Sequence, residues 1–166
     1  MSDIELAKRV AELLERDCRL TPAEIATMLT DDEAAVATTI EELEREGIIV
    51  RYSAKVNWQK LDENAKVFAM IEVSVTPERD YGFDKIAARI AGFPEVHSLY
   101  LMSGGYDFEV VIEGRSMRDI ALFVAERVSP LPGVRSTCTH FVLRLYKRDG
   151  DMLISEPASE RLAVSP

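Results

Sequence analysis

The sequence predicts an α+β protein in two modules, an N-terminal winged helix-turn-helix and a C-terminal ferredoxin-like βαββαβ sandwich. Three observations carry this expectation. Up to Gly47, apolar residues recur at helical spacing and capping signals divide them into three segments. After Gly47 the period changes to two. From Lys66 onward, short alternating runs interleave with two helical stretches.

The first helix places Ile4, Leu6, Ala7, Val10, Leu13 and Leu14 on one face and ends near Asp17-Cys18-Arg19. The second opens at Thr21-Pro22-Ala23-Glu24. Thr21 is a good N-cap, Pro22 suits the first helical position, and Glu24 completes a capping box. The third is capped by Thr30, Asp31 or Asp32, has Val36, Ile40 and Leu43 as its apolar face, and stops at Gly47. Ile48–Tyr52 and Ala54–Asn57 read as the two strands of a wing. Trp58 is the only tryptophan and reads as a packing anchor in a linker.

In the second half, 66–75 is a strand with Val67, Ala69, Ile71, Val73 and Val75 on one face. A polar loop (77–82), a helix (83–91) and a strand (96–102) follow. The turn Ser103-Gly104-Gly105 leads to a strand (106–112), a helix from Ser116 to about Val128, and a long strand (134–146). Four strands leave one sheet face and two edges partly open, which another subunit often covers. The expected organisation is 1–57 for the helix-turn-helix, 58–65 for a linker, 66–150 for the α/β domain and 151–166 for a flexible tail.

Hydrophobic residues are 47% and charged residues 30% of the chain, a balance that suits a folded protein rather than a disordered one. The apolar runs are too short to span a membrane, and the first residues lack the basic and apolar regions of a secretory signal, so a cytoplasmic protein is expected. Cys18 and Cys138 read as reduced thiols without a disulfide. His97 and His140 have no carboxylate or thiol cluster at ligand spacing, so no metal site and no cofactor are expected. The net charge of −9 argues against a nonspecific nucleic-acid binder.

Three segments resemble the leucine-responsive/asparagine regulator (Lrp/AsnC, or feast/famine) family. They are Ile40-Glu41-Glu42-Leu43-Glu44-Arg45-Glu46-Gly47-Ile48-Ile49 with Tyr52-Ser53-Ala54-Lys55-Val56-Asn57; Phe93-Pro94-Glu95-Val96 with Tyr100-Leu101-Met102-Ser103-Gly104-Gly105-Tyr106-Asp107; and Pro132-Gly133-Val134 with Thr137 to Leu143. Their order and spacing, over about residues 4 to 150, carry the resemblance. It implies a transcriptional regulator that binds double-stranded promoter or operator DNA and senses an amino acid or related small metabolite through its second domain. It also implies homodimers formed through that domain, often assembled into octamers, and no catalysis. A related branch decarboxylates a modified tetrapyrrole and carries a histidine followed by basic residues in the second strand. Here that stretch reads His97-Ser98-Leu99-Tyr100, without a basic residue.

One departure bears on function. From Asp31 to Glu46 there are seven acidic residues and one basic one, a net of −6, where relatives expose arginines or lysines. The first sixty residues hold 8 Lys/Arg against 13 Asp/Glu. DNA affinity comes largely from neutralised phosphates, so an acidic recognition helix disfavours tight contact. Thr38, Thr39 and Arg45 on the third helix, with Arg51 and Lys55 in the wing, are the DNA-contact candidates. The competing reading is a sensing and assembly protein whose acidic helix-turn-helix takes a protein partner instead of DNA.

For the effector, Gly104-Gly105 permits a tight turn or close ligand approach. Asp107 either accepts from an ammonium group or holds the loop. Tyr106 packs over a ligand or a neighbouring subunit. Ser136, Thr137 and Thr139 are ordinary strand formers that the resemblance raises to candidate ligand contacts.

Overall fold

The computed structural model describes residues 3–62, 66–77 and 82–154. The chain divides into two compact units, Met1–Val56 and Asn57–Pro166.

In the first unit, α1 spans Ile4–Arg16 and begins where the Asp3 carboxylate accepts from the Glu5 and Leu6 amides. α2 (Pro22–Leu29) has the expected capping box: Thr21 accepts from the Glu24 amide and the Glu24 carboxylate accepts from the Thr21 amide. α3 (Glu33–Arg45) starts at Asp32, whose carboxylate accepts from the Ala35 amide at 3.0 Å. Between α2 and α3 the chain reverses tightly, with Thr30 in the left-handed region (φ 56°) and the Asp31 amide donating to Ala26 O at 2.9 Å. The three helices enclose a core of Leu6, Ala7, Val10, Leu14, Ile25, Ala26, Val36 and Leu43. Each valine, leucine or isoleucine among them, fully buried, contributes about 1.5–3 kcal/mol. This is the arrangement the helical periodicity requires, since each helix has only one apolar stripe to hide.

The wing differs from expectation. Residues 48–57 run without strand pairing. Gly47 (φ 69°) closes α3, and the Ile48 and Ile49 amides both donate to Leu43 O, so the first residues of the expected strand finish the helix instead. Val50 is exposed, and a lone two-stranded ribbon has little apolar area to stabilise it.

In the second unit, a short 3-10 turn at Trp58–Lys60 precedes β1 (Val67–Val75). Then come α4 (Asp84–Ala91), β2 (Val96–Leu101), β3 (Phe108–Gly114), α5 (Met117–Phe123, continued by one π turn to Val128) and β4 (Val134–Phe141). The sheet order is β2-β3-β1-β4, antiparallel throughout, as a split βαβ pair demands. Ile71 lies opposite Val110 on one side and Thr139 on the other. Ala69, Ile71, Val73 and Val75 face one way, meet Phe108, Val110 and Ile112, and are covered by Ile86 and Ile90 of α4 and Ile120 and Phe123 of α5. Both helices lie on that face, so the outward alternates (Phe68, Met70, Glu72, Ser74) form the open side of the sheet. The expected linker and polar-loop assignments at 63–65 and 78–81 lie outside the described residues.

Two boundaries move. β4 stops at Phe141 rather than reaching Tyr146. Residues 151 and 152, expected to begin a loose tail, form β6 (Asp151–Met152), paired with β5 (Lys147–Arg148). Asp149 (φ 47°) and Gly150 (φ 91°) make the two-residue turn, whose left-handed pair an Asp-Gly dipeptide supplies. The Leu153 amide donates to Tyr146 O at 2.9 Å and the Asn57 side chain donates to Leu153 O at 2.6 Å. Residues 155–166 of the expected tail lie outside the described residues.

Candidate functional site

The α3 surface is set by what its buried face takes away. Val36 and Leu43 are buried and Ile40 half-buried, which leaves Ala34, Thr38, Glu41 and Arg45 outward. The Thr38 and Thr39 hydroxyls donate to Ala34 O and Ala35 O, each at 2.9 Å. Each threonine hydrogen is therefore committed to its own helix, with the oxygen lone pairs remaining as acceptors. Thr39 is half-buried and Thr38 exposed, so the two do not present equally. The Arg45 guanidinium lies 3.9 Å from the Glu42 carboxylate, which offsets part of its charge.

Arg51 and Lys55 are exposed on the extended segment after α3. Tyr52 pins this segment: its hydroxyl donates to Glu44 Oε1 at 2.7 Å. Burial first, and then the Glu44 hydrogen bond, push the Tyr52 phenol up to about 12. The Cys18 thiol lies 3.8 Å from Ser53 O, a second tie on the same stretch.

In the second unit, the bend 103–107 joins β2 to β3, and the Met102 amide donates to Asp107 O at 2.8 Å. Gly104 and Gly105 are exposed, and a Cβ on either meets nothing within 4 Å, so close approach from outside is sterically free. Asp107 is tied down. Its amide donates to Val73 O, and its carboxylate accepts from the Val75 amide at 2.7 Å. Arg135, which sequence reasoning missed, donates from Nε to Val75 O at 3.1 Å and brings Nη2 to 3.6 Å from the Asp107 carboxylate. Asp107 thus links β3, the end of β1 and the start of β4. Tyr106 is half-buried, and its hydrogen bond to Glu109, then burial, hold its phenol above the ordinary range.

The hydroxyl candidates divide by strand alternation. Ser136 lies opposite Ser74 on the open face, whereas Thr137 and Thr139 lie opposite Val73 and Ile71 on the helix side. Thr137 Oγ1 is 3.1 Å from Ser129 Oγ after α5. The open face also holds a group that spacing along the chain did not reveal. Glu72, Cys138 and His140 place one ligand atom each within 4.8 Å of one another. Cys138 and His140, two apart on a strand, share a face, a pairing that the expectation of no thiol at ligand spacing to His140 passed over. Glu72, 68 residues before His140, was not legible along the chain.

A three-helix unit with a tight α2–α3 reversal, followed by an α/β sandwich with one open sheet face, defines a two-part helix-turn-helix protein. The Lrp/AsnC ligand binding domain model matches residues 68–152. The chain is 45% identical over 162 residues to the uncharacterised HTH-type transcriptional regulator YugG of Bacillus subtilis, covering 98% of both chains. It is 29% identical to the HTH-type transcriptional regulator LrpA of Pyrococcus horikoshii, covering 86% of this chain and 98% of that one. A transcriptional regulator of Neisseria meningitidis in complex with L-Met superposes with a TM-score of 0.70 at 23% identity, covering 89% of this chain and 94% of that one. AsnC of E. coli superposes at 0.68 with 20% identity, covering 89% and 97%. The chain belongs to the Lrp/AsnC family of HTH-type transcriptional regulators.

Proposed function

We propose that this regulator binds promoter or operator DNA through α3 and the segment after it, and that an amino acid or related metabolite, bound by the second unit, changes that binding. The observation that carries the reading is the near full-length match to an HTH-type regulator together with the α2–α3 reversal that presents α3. Thr38, Thr39 and Arg45 meet base edges and nearby phosphates, and Arg51 and Lys55 meet the flanking backbone. The effector lies against the 103–107 bend, where the exposed Gly104-Gly105 backbone admits it and Tyr106 packs over it. Asp107 and Arg135 hold that bend in shape, while Ser136, Thr137 and Thr139 flank it from the two faces of β4. The L-Met complex of the Neisseria regulator supports an amino-acid effector. The chain acts without catalysis or a cofactor, in the cytoplasm.

The acidity of α3 makes assembly part of the mechanism. One module with so few cations binds phosphate weakly, but modules linked in a homodimer or octamer bind with a high effective concentration. That same acidity favours a second reading, in which the α3 face takes a basic protein partner. Binding of the purified oligomer to its own upstream DNA, at two salt concentrations and with a panel of amino acids, separates the two. Specific binding that weakens with salt and shifts with one amino acid supports the regulator. A folded oligomer that ignores DNA at low salt overturns it in favour of the partner reading.

A further inference from the structure

We infer that Glu72, Cys138 and His140 form a binding site for one divalent transition-metal ion of the zinc class on the open face of the sheet. The site is independent of the effector reading above. It arises from register. Cys138 and His140 are alternate residues of β4 and therefore share a face, and Glu72 of β1 lies directly opposite Cys138. The three ligand atoms lie within 4.8 Å of one another, and His140 Nε2 is 3.1 Å from Glu72 Oε1. Ligands around a tetrahedral zinc ion stand about 3.5 Å apart, so side-chain rotation alone closes the cluster.

The donor set selects the metal. A thiolate with an imidazole excludes the hard cations, which prefer oxygen, and suits zinc or cobalt. Three protein ligands leave a fourth position for water. Charge supports a dication here as well: Glu109 of β3 is the cross-strand neighbour of Glu72 on its other side. Glu72 and Cys138 sit on adjacent strands of a packed sheet, so the backbone is already ordered before the ion arrives. Binding displaces the thiol proton, so affinity falls as pH falls.

The test is titration of the reduced full-length protein with Co²⁺. The expected result is one ion per chain, a near-ultraviolet thiolate-to-cobalt charge-transfer band and visible bands of a four-coordinate ion. Zn²⁺ should displace the cobalt and Mg²⁺ should not. Cys18→Ser should leave the band unchanged and Cys138→Ser should abolish it. His140→Ala and Glu72→Gln should each weaken binding by about 10–100-fold or more, at least the loss seen when only a supporting residue around a metal site is changed. None of the three side chains belongs to the buried core, and circular dichroism with gel filtration checks that each variant keeps its fold and assembly. Absence of a band, its survival in Cys138→Ser, or unchanged affinity in His140→Ala overturns the site.

Discussion

Asp107 separates a structural role from a ligand-binding one. Its carboxylate accepts from the Val75 amide at 2.7 Å, at a residue only 1% exposed. Asp107→Ala leaves that amide without its acceptor, a cost of about 1–3 kcal/mol for a buried donor. The Arg135 contact, at 3.6 Å with side chains 62% and 26% exposed, adds at most about 1 kcal/mol. The combined expectation is about 1–4 kcal/mol. Asp107→Asn retains an oxygen acceptor for the Val75 amide and loses only charge assistance, so it should cost about 1 kcal/mol. Urea unfolding followed by Trp58 fluorescence measures both, because Trp58 is the only tryptophan and lies in the second unit, with Lys66 Nζ 4.6 Å from its ring centroid. At an unchanged slope, the alanine variant should move the midpoint down by about 1–2 M. An alanine midpoint equal to wild type, with effector binding lost, would refute the structural assignment and make Asp107 a ligand contact. Equal losses in both variants would show that charge, and not the hydrogen bond to Val75, carries the effect.

Arg51→Ala and Lys55→Ala should each lower the salt dependence of DNA binding by about one phosphate contact while leaving sequence preference intact, read from log–log salt plots. Glu42→Gln removes the carboxylate 3.9 Å from Arg45 and should strengthen DNA binding severalfold; weaker binding would count against α3 as the DNA-facing helix. Gly133→Ala should destabilise the second unit by about 1–3 kcal/mol in the same urea assay, since Gly133 has φ +93° and a Cβ there would stand 2.7 Å from Ile86 Cδ1. The Tyr52 phenol, raised from 10.0 to about 12, favours the folded state while it stays protonated. That contribution is complete below pH 10, where even the unfolded phenol is neutral, and is lost as pH rises through about 12. Tyr52→Phe should therefore remove from a phenolate absorbance titration a phenol that ionises near pH 12, and loss of one that ionises near 10 instead would contradict the hold of Glu44 on that hydroxyl.

The helices of the first unit were legible because their signals are local. A threonine, proline and glutamate at fixed offsets cap α2 whatever surrounds them, and a one-sided apolar stripe defines α1 and α3. The strands β1, β2 and β3 were legible for the same reason, through alternation. The wing was misjudged because alternating residues at 48–52 are also what completes the end of α3, and only the amides of Ile48 and Ile49 meeting Leu43 O decide between the two. The β5–β6 hairpin carried a local signal, Asp149-Gly150, that the reading of 151–166 as a loose tail obscured.

The sequence by itself determined the two-module order, the family, the acidity of α3 and the glycine turn, because composition, periodicity and motif spacing are properties of the chain alone. Only the tertiary structure decided which side chains meet. It tied Asp107 to Val75 and Arg135, turned Thr137 and Thr139 rather than Ser136 to the helix side, and set Glu72 beside Cys138 and His140. Each of these follows from strand register. A shift of one residue between β1 and β4 would exchange every partner and reverse which face it points to, and register is set by packing the whole sheet against α4 and α5 rather than by any local run of residues.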